Sequence, residues 1–223
     1  MKAQQTIRPL QVRRSGMVPY AQALEVQKSL VEARRAGEVP DTLLLLEHPH
    51  VITAGSRSRP ENVLISEAER EALGIGLHET GRGGDVTYHG PGQLVGYPIL
   101  DLKPDRCDLH LYLRSLEEML IGVLHEFGVR GERKEGLTGV WVDDRKLAAI
   151  GVRVSSGWIT SHGFALNVGT DLSYFRTIIP CGIREHGVGS LSGELGRTVA
   201  MEEAEDATVR SFSRVFGVEA AFV

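Results

Sequence analysis

The chain has 223 residues, 42% hydrophobic and 24% charged, so it can bury a sizeable core, and we expect one domain spanning residues 1–223. Its formal net charge of −4 argues against a general nucleic-acid-binding protein, which usually carries a basic excess. No apolar run approaches the ~20 residues that cross a bilayer, and the first residues lack the apolar core of a signal peptide. Because the chain has only two cysteines, Cys107 and Cys181, we expect a reducing compartment and a cytoplasmic protein.

The N-terminal half alternates helix and strand patterns. Residues 19–35 begin with a proline and are followed by a glycine, which predicts a helix. Residues 42–46 form a short apolar run typical of a buried strand. Residues 66–69 contain the serine and glutamate of a capping box, which predicts a short helix. A further strand is predicted over residues 94–100, where Pro98 indicates an edge strand or a bulge.

The clearest helix signal begins at Asp108, a residue suited to the N-cap position. Apolar residues then recur at steps of three and four, which is the spacing of one buried helix face. Gly128 follows the last of them and is expected to end the helix. The predicted buried stripe consists of Leu109, Leu113, Leu116, Leu120, Val123 and Phe127.

The C-terminal half is dominated by strand patterns. Residues 140–142 and 146–154 flank two aspartates and predict a hairpin, with Ile150 and its alternate neighbours on a buried face. A turn then leads into a third strand over residues 158–168. Residues 201–216 predict a final helix. Adjacent hairpins with helices elsewhere favour an α+β fold with a mixed, largely antiparallel sheet, not a doubly wound parallel one.

Residues 81–93 are the densest feature of the sequence, since five of these thirteen residues are glycine. Glycine allows a backbone to approach a ligand closely and to adopt positive φ angles. The interleaved polar residues favour a ligand-binding loop over the alternative of a tight surface turn. The segment is neither a P-loop nor a dinucleotide-binding fingerprint, because it matches neither glycine spacing.

Three further residues are candidates for a catalytic or binding site, and each could instead have a structural role. Cys181 lies between a proline and a glycine, which predicts a thiol in a turn, either reactive or simply buried. Lys146 follows an acidic turn and is either a surface lysine or directed into the sheet. His162 lies among small residues, as a site histidine or a structural one would. Although eight histidines are present, no HExxH or CxxC motif occurs, and we expect no metal.

Four segments taken together resemble the lipoyl(octanoyl) transferase family, the octanoyltransferases of lipoate biosynthesis. The resemblance lies in residues 82–94 (RGGDVTYHGPGQL), 146–154 (KLAAIGVRV), 158–167 (WITSHGFALN) and 180–183 (PCGI). It implies the fold of the biotin and lipoate ligase catalytic domains, a mixed sheet with packed helices.

The resemblance also implies an activity and its partners. Members of the family transfer an octanoyl group from acyl carrier protein to a specific lysine of lipoyl domains, without a cofactor. Those domains belong to 2-oxoacid dehydrogenase complexes and to the glycine-cleavage H protein. By the same likeness, Cys181 and Lys146 match the catalytic pair, and His162 is expected to line the site. The residues matching the substrate-binding segments are Arg82, Gly83, Gly84, Asp85, Val86, Thr87, Tyr88, His89, Ala149, Ile150, Gly151, Gly163, Phe164 and Ala165.

These residue types suit acyl transfer between a thioester and an amine. A cysteine intermediate retains the reactivity of the donor thioester and divides the transfer into two attacks. A free thiol has a pKa of about 8.5, and a nearby lysine ammonium favours its thiolate form. Once the cysteine is acylated, that lysine can accept a proton from the incoming amine. An octanoyl chain also needs an apolar slot, for which Val86, Ile150, Phe164 and Leu166 are candidate walls.

Other functions remain open at this point. An ATP-dependent lipoate or biotin ligase would share the fold but needs no nucleophilic cysteine. A cysteine amidotransferase would move octanoyl between lipoyl domains and differs only in its donor. A non-catalytic carrier-binding module would form no acyl-cysteine, and a papain-like hydrolase would show its own cysteine signature.

Overall fold

The computed structural model describes residues 8–180 and 186–223, and the predicted nucleophile Cys181 lies outside the described residues. The strands are β1 Arg8–Met17, β2 Asp41–Glu47, β3 Val51–Ala54, β4 Gly76–Glu79, β5 Val86–His89, β6 Gln93–Ile99, β7 Glu132–Lys134, β8 Leu137–Val142, β9 Arg145–Val154, β10 Thr160–Asn167, β11 Gly187–Val188 and β12 Val218–Phe222. The α-helices are α1 Tyr20–Ala36, α2 Glu67–Ala72, α3 Leu109–Glu126, α4 Leu191–Leu195 and α5 Met201–Phe216.

Most strands form one large sheet. Its order is β12-β1-β2-β6-β10-β9-β8-β7, and the short β11 pairs with β9. The pairs from β2 to β7 are antiparallel, whereas β1 runs parallel to both β2 and β12, and β11 runs parallel to β9. The predicted mixed, largely antiparallel sheet is therefore confirmed.

The large sheet is covered on both faces, which explains the continuous apolar run in β2. Leu43 and Leu45 point into the core that α3 and α5 form on one face. Leu44 and Leu46 point into a second core with α1 on the other face. A strand that is buried on both faces loses the alternating pattern of a half-exposed strand.

A smaller sheet, in the order β4-β3-β5, lies beside the large one and has its own apolar core. Sequence patterns did not predict it, because its strands have only four residues each. Its strand β5 occupies residues 86–89, so the segment predicted as a glycine-rich loop is partly a strand. The strands β7 and β12 are also too short to show a period. In β1, five charged or polar residues mask its two buried positions.

The predicted helices agree closely with α1, α2, α3 and α5. Asp108 caps α3 by accepting a hydrogen bond from the Leu111 amide. Leu116, Leu120 and Val123 are fully buried, as the stripe predicts. Leu109 is an exception with 42% exposure, since it is the first residue of the helix and lies outside the core.

The interpretation of Pro98 as an edge-strand residue is wrong, because β6 has a neighbour on each side. Pro98 pairs with Leu43 of β2. On the β10 side, the Thr160 hydroxyl donates to the Pro98 carbonyl at 2.7 Å and accepts from the Leu100 amide at 2.9 Å. A side chain thus replaces the regular ladder bonds beside the proline, which lets a proline occupy a central strand.

Within the described ranges, none of the helices combines the length and the apolar run that crossing a bilayer requires.

The close packing of β6 on β10 can be tested at Gly96. A Cβ there would overlap the Phe164 ring, so Gly96→Ala should lower the free energy of unfolding by about 1–3 kcal/mol in urea titrations. Gly157→Ala is the matched control, since the nearest atom would be Arg35 Nε at 3.8 Å, and it should change stability by less than about 0.5 kcal/mol. Equal stability of the two variants would contradict the tight packing.

Candidate functional site

A cavity lies between the large sheet and the glycine-rich segment, on the face that carries α1. Tyr20 of α1 closes one side of it. The other lining residues come from the glycine-rich segment and from the middle of β6, β9 and β10. They are Arg82, Gly83, Gly84, Thr87, His89, Val95, Tyr97, Ala149, Ile150, Gly151, His162, Gly163, Phe164 and Ala165.

Much of the cavity wall is backbone. The Gly83 amide donates to the Val152 carbonyl at 2.9 Å and so fastens the glycine-rich segment onto β9. A Cβ on Gly151 would lie 3.1 Å from the Gly83 carbonyl oxygen, and one on Gly163 would overlap the Gly96 carbonyl. Glycine at these positions therefore keeps the strands and the segment close while leaving room for a narrow ligand.

Arg82 supplies a positive charge to the cavity wall. The residue is only 8% exposed. Its guanidinium donates to the Thr53 carbonyl at 2.6 Å, to the Thr53 hydroxyl at 2.9 Å and to the Gly83 carbonyl at 3.0 Å. These bonds fix the guanidinium and connect the glycine-rich segment to β3 of the small sheet.

Three histidines around the cavity are held neutral. Burial lowers the pKa of His89 to about 3, and the nearby His48 and Arg82 act in the same direction. Burial, with the charges of Arg82 and Arg153, lowers the pKa of His162 to about 4. Burial also lowers the pKa of His48 to about 4, although its bond to the Val18 carbonyl opposes the shift. These side chains therefore offer hydrogen bonds, not charge, at neutral pH.

The hydrogen bonds of two of these histidines define which nitrogen carries the proton. His48 Nδ1 lies 2.7 Å from the Val18 carbonyl, which can only accept, so His48 Nε2 accepts from the Tyr97 hydroxyl at 2.8 Å. His89 Nδ1 donates to Gln93 Oε1 at 2.7 Å. His89 Nε2 is consequently an acceptor in the cavity wall.

A buried chain of hydrogen bonds links this wall to the strand that carries Lys146. Gln93 Nε2 donates to Asn167 Oδ1 at 2.9 Å, and Asn167 Nδ2 donates to the Gly189 carbonyl at 2.9 Å. The Gly189 amide in turn donates to the Lys146 carbonyl at 3.0 Å. The glycine-rich segment, β10 and β9 are thereby held in one register.

Twelve of the fifteen predicted substrate-binding and lining residues lie around the cavity, but three do not. Asp85 instead accepts hydrogen bonds from the Arg59 amide and the Asn62 side chain. Val86 and Tyr88 are buried in the core of the small sheet. Of the suggested acyl-slot walls, Ile150 and Phe164 border the cavity, whereas Leu166 is buried in the large core and Val86 in the small one. Alternation along β5 places Val86 and Tyr88 on the side opposite Thr87 and His89, which line the cavity.

Lys146 lies at the start of β9, three residues before the cavity wall begins at Ala149, or about 10 Å along the strand. Its Nζ is 4.8 Å from the centre of the Trp141 ring. Its neighbour across the sheet is Val188 of β11. Lys146 therefore stands beyond one end of the cavity and next to the point where the described chain resumes after Cys181.

Sequence patterns missed Tyr20, Val95 and Tyr97 as lining residues. Tyr20 is the first residue of α1 and stacks near His89, with ring centroids 6.4 Å apart. The sequence shows only that Tyr20 begins a helix, and nothing in it indicates contact with the glycine-rich segment about 60 residues later. Val95 and Tyr97 alternate along β6 and looked like ordinary core residues, because one face of β6 forms both core and cavity wall.

Across the two described ranges, no cluster of three or more His, Cys, Asp or Glu side chains is placed to hold a metal ion.

The cavity, with its glycine-rich segment and strand walls, can now be compared with the sites of known proteins. The model of the lipoyl protein ligase A/B catalytic domain matches residues 19–213. A curated octanoyltransferase of Rubrobacter xylanophilus is 54% identical over 210 residues, which cover 93% of this chain and 94% of that protein. The chain therefore belongs to the octanoyltransferase family within the lipoyl protein ligase A/B catalytic domains, and it is an acyltransferase.

Solved structures share the fold at low sequence identity. A bipartite lipoate protein ligase of Thermoplasma acidophilum matches with a TM-score of 0.74 and 16% identity, covering 97% of this chain and 88% of that one. The biotin protein ligase of Aquifex aeolicus matches with a TM-score of 0.54 and 14% identity, covering 95% and 69%. The expected likeness to lipoate and biotin ligase folds is confirmed.

The neutral histidines predict that stability falls in acid. His48 binds a proton below about pH 6.5 in the unfolded chain, but only below about pH 4 in the folded protein. Between these values protonation stabilises the unfolded state, so the free energy of unfolding should drop by about 1.4 kcal/mol for each pH unit lost. Urea titrations at pH 7.5 and pH 5 should show a smaller drop for His48→Gln than for the parent. The exposed His110→Gln is the control and should retain the parent's drop. An unchanged drop in His48→Gln would contradict a neutral His48.

Proposed function

We propose that this acyltransferase moves an octanoyl group from acyl carrier protein to a specific lysine of lipoyl domains, through a thioester on Cys181. The acceptors would be the lipoyl domains of 2-oxoacid dehydrogenase complexes and the glycine-cleavage H protein. The name of the curated relatives supports octanoyl as the transferred group. We further propose that residues 1–223 act as one catalytic domain in the cytoplasm.

The observation that carries the proposal is the placement of the chain on both sides of Cys181. Before it, the Ile179 amide donates to the Asn62 carbonyl at 2.8 Å, and the Asn62 side chain binds Asp85 of the glycine-rich segment. After it, the Gly187 amide donates to the Asp144 carbonyl at 3.0 Å, beside Lys146. The described residues before Cys181 thus lie beside the glycine-rich segment, and those after it lie beside Lys146.

In the first half-reaction, Lys146 as an ammonium favours the Cys181 thiolate. The thiolate attacks the carbonyl carbon of the donor thioester, a new carbon–sulfur bond forms, and the donor's carbon–sulfur bond breaks. The departing carrier thiolate takes a proton from the Lys146 ammonium. Lys146 is then a neutral amine next to an acyl-cysteine.

In the second half-reaction, Lys146 acts as the general base. An acceptor lysine has an unperturbed pKa of about 10.4, so its ammonium first releases one proton to solvent to give the nucleophilic amine. Its amine attacks the Cys181 thioester and passes a proton to Lys146, the amide forms, and the Cys181 thiolate leaves. The enzyme returns to the ammonium–thiolate pair, and no ATP is consumed.

The cavity suits the acyl chain of such an intermediate. The small residues Ala149, Gly151 and Gly163 leave a narrow slot beside Phe164 and Tyr97. Burial of each methylene is worth ~0.8 kcal/mol, so a slot of limited depth would select chain length. Neutral His89 and His162 line the same slot without introducing charge at neutral pH.

The proposed catalytic pair is tested by intact-mass spectrometry. Incubation with octanoyl-acyl carrier protein in the absence of ATP should add one octanoyl group, because the thioester needs no further activation. Cys181→Ser should form no thioester, and Lys146→Ala should lower transfer to a lipoyl domain at least about a hundredfold through loss of its general base. Cys107→Ser is the control, since that thiol is exposed and lies away from the lining residues.

Acylation only after addition of ATP and free octanoate would instead indicate a ligase. Octanoyl transfer from one lipoyl domain to another, in preference to the carrier protein, would indicate an amidotransferase. Near-parental turnover in Cys181→Ser or Lys146→Ala would remove that residue from the mechanism.

The arginines around the cavity support a donor protein that carries negative charge on its docking surface. The Arg57 amide donates to the carbonyl of the lining residue Gly84, and the Arg59 amide donates to Asp85. The Arg153 guanidinium lies over Gly81. All three arginines are exposed, and none forms an ion pair with an acidic side chain of residues 8–180 or 186–223. They would place positive charge around the entrance of the cavity, although the net charge of the whole chain is −4.

Charge reversal at these arginines should weaken donor binding. Arg57→Glu with Arg153→Glu should raise KM for octanoyl-acyl carrier protein about tenfold or more while leaving kcat for a small octanoyl thioester unchanged, as steady-state assays at low salt would show. Arg210→Glu reverses an exposed arginine elsewhere, which binds Glu126, and should leave KM near the parent's. An equal KM in all three enzymes would mean that the donor docks on another surface.

A further inference from the structure

One irregularity in β9 decides where Lys146 points. Val140 of β8 pairs with Ala148, but the next residue, Trp141, pairs with Lys146, so β9 has one extra residue at Leu147. Leu147 and Ala148 are both buried in the large core, and two consecutive residues therefore face the same side. Regular alternation would have placed Lys146 on the core side with Ala148. The bulge turns it to the opposite side, where Trp141 lies.

The residues opposite Lys146 form a groove for its side chain. A Cβ on Gly139 would lie 3.4 Å from Lys146 Cε and 3.6 Å from Cδ, so the lysine stem passes directly over the bare glycine backbone. Gly139 has φ +127°, a conformation that a residue with a side chain rarely adopts. Its amide donates to Oε1 of Glu117 at 3.2 Å. Glu117 is buried and paired with Arg114 and Arg133, which fixes this stretch of β8.

Trp141 supplies the end of the groove. Its ring lies 4.8 Å from Lys146 Nζ and 5.3 Å from Lys134 Nζ, both within the range of an attractive cation–π contact. Lys134 also pairs with Asp144, so its charge is partly compensated, and the inference concerns Lys146. The residue is 1% exposed, yet it belongs to none of the apolar core clusters of the described chain. The edge of the same ring meets His186, with centroids 5.2 Å apart. Trp141 thus touches both Lys146 and the first described residue after the Cys181 segment.

We infer that Gly139 and Trp141 are positioning residues, which fix the direction of the Lys146 side chain on this side of the sheet and favour its ammonium form until the Cys181 thiolate has reacted. The inference rests on the proposed function of Lys146 and Cys181. Neither residue touches the acyl group in this account. A cation over an indole face is favoured over the neutral amine, so the groove stabilises the ammonium–thiolate state before the donor binds.

The pH dependence of Cys181 alkylation by iodoacetamide tests the groove without any acyl substrate. The background is Cys107→Ser, because the exposed Cys107 thiol would also react. Trp141→Leu should raise the apparent pKa of alkylation by about one unit, and so slow alkylation near neutral pH about tenfold. Trp141→Phe retains an aromatic face and should shift the pKa by less.

Phe212→Leu is the matched control, because it also truncates a buried ring, stacked 4.2 Å from Phe216 in the large core. It should lower the melting temperature but leave the alkylation pKa unchanged. A folded Trp141→Leu protein whose alkylation profile equals that of the parent would overturn the inference. An equal pKa shift in Phe212→Leu would also overturn it, because lost packing alone would then explain the effect.

A second measurement keeps the Trp141 ring intact, in case Trp141→Leu does not fold. In a Trp158→Phe background Trp141 is the sole tryptophan, and Lys146→Met should change its emission by removing the adjacent ammonium. Unchanged tryptophan emission would mean that Lys146 does not contact the Trp141 ring, and the inference would fail. Lys146→Met also separates the two proposals in the alkylation assay. If it leaves the thiol pKa unchanged, the catalytic pair itself fails, whereas a shift in Lys146→Met without one in Trp141→Leu rejects only the groove.

Discussion

The proposed chemistry depends on one extra residue in a β-strand. Without the bulge at Leu147, Lys146 would point into the large core with Ala148, where an ammonium without a partner would be strongly disfavoured. With the bulge, the lysine leaves the core and lies along Gly139 and Trp141. Leu147 takes the vacated core position and is fully buried. The packing of Leu147 in the core therefore stabilises the bulge, and the bulge keeps the Lys146 side chain outside the core.

The cavity depends on a second constraint, the glycines where β6, β9, β10 and the glycine-rich segment approach one another. Gly96 and Gly163 let β6 and β10 lie close together, and Gly83 bonds to β9 beside Gly151. Because backbone walls are rigid, the slot between them has a fixed width. Its histidines are neutral at neutral pH and its lining has one buried arginine, Arg82, which is compatible with the proposed apolar acyl chain.

The sequence predicted the fold class and most of the long elements, because α1, α3, α5 and the β8–β9–β10 strands carry clear periodic signals. It did not predict the small sheet, whose four-residue strands are too short for a period to emerge. Pro98 was misjudged as an edge residue, because the Thr160 hydroxyl that replaces its missing bonds lies 62 residues away. Long-range compensation of this kind leaves no local signal.

The site was predicted unevenly for similar reasons. The glycine-rich segment and the small residues of β9 and β10 stand out in the sequence, and the structure gathers most of them around one cavity. Tyr20 and Tyr97 were not foreseen, because a tyrosine at a helix start or within an apolar strand looks like any core residue. The direction of Lys146 was left open, since the bulge that decides it depends on the register between β8 and β9 and not on the residues of β9 alone.

The central claim is that Lys146 and Cys181 meet at the end of the cavity, with the acyl chain between the glycine backbones. A crystal structure of the enzyme trapped as its octanoyl thioester tests this most directly. The account predicts Lys146 Nζ within about 3.5 Å of Cys181 Sγ and the acyl chain between Ala149, Gly151 and Gly163. An acyl chain lying elsewhere, or an Nζ directed away from the sulfur, would contradict it.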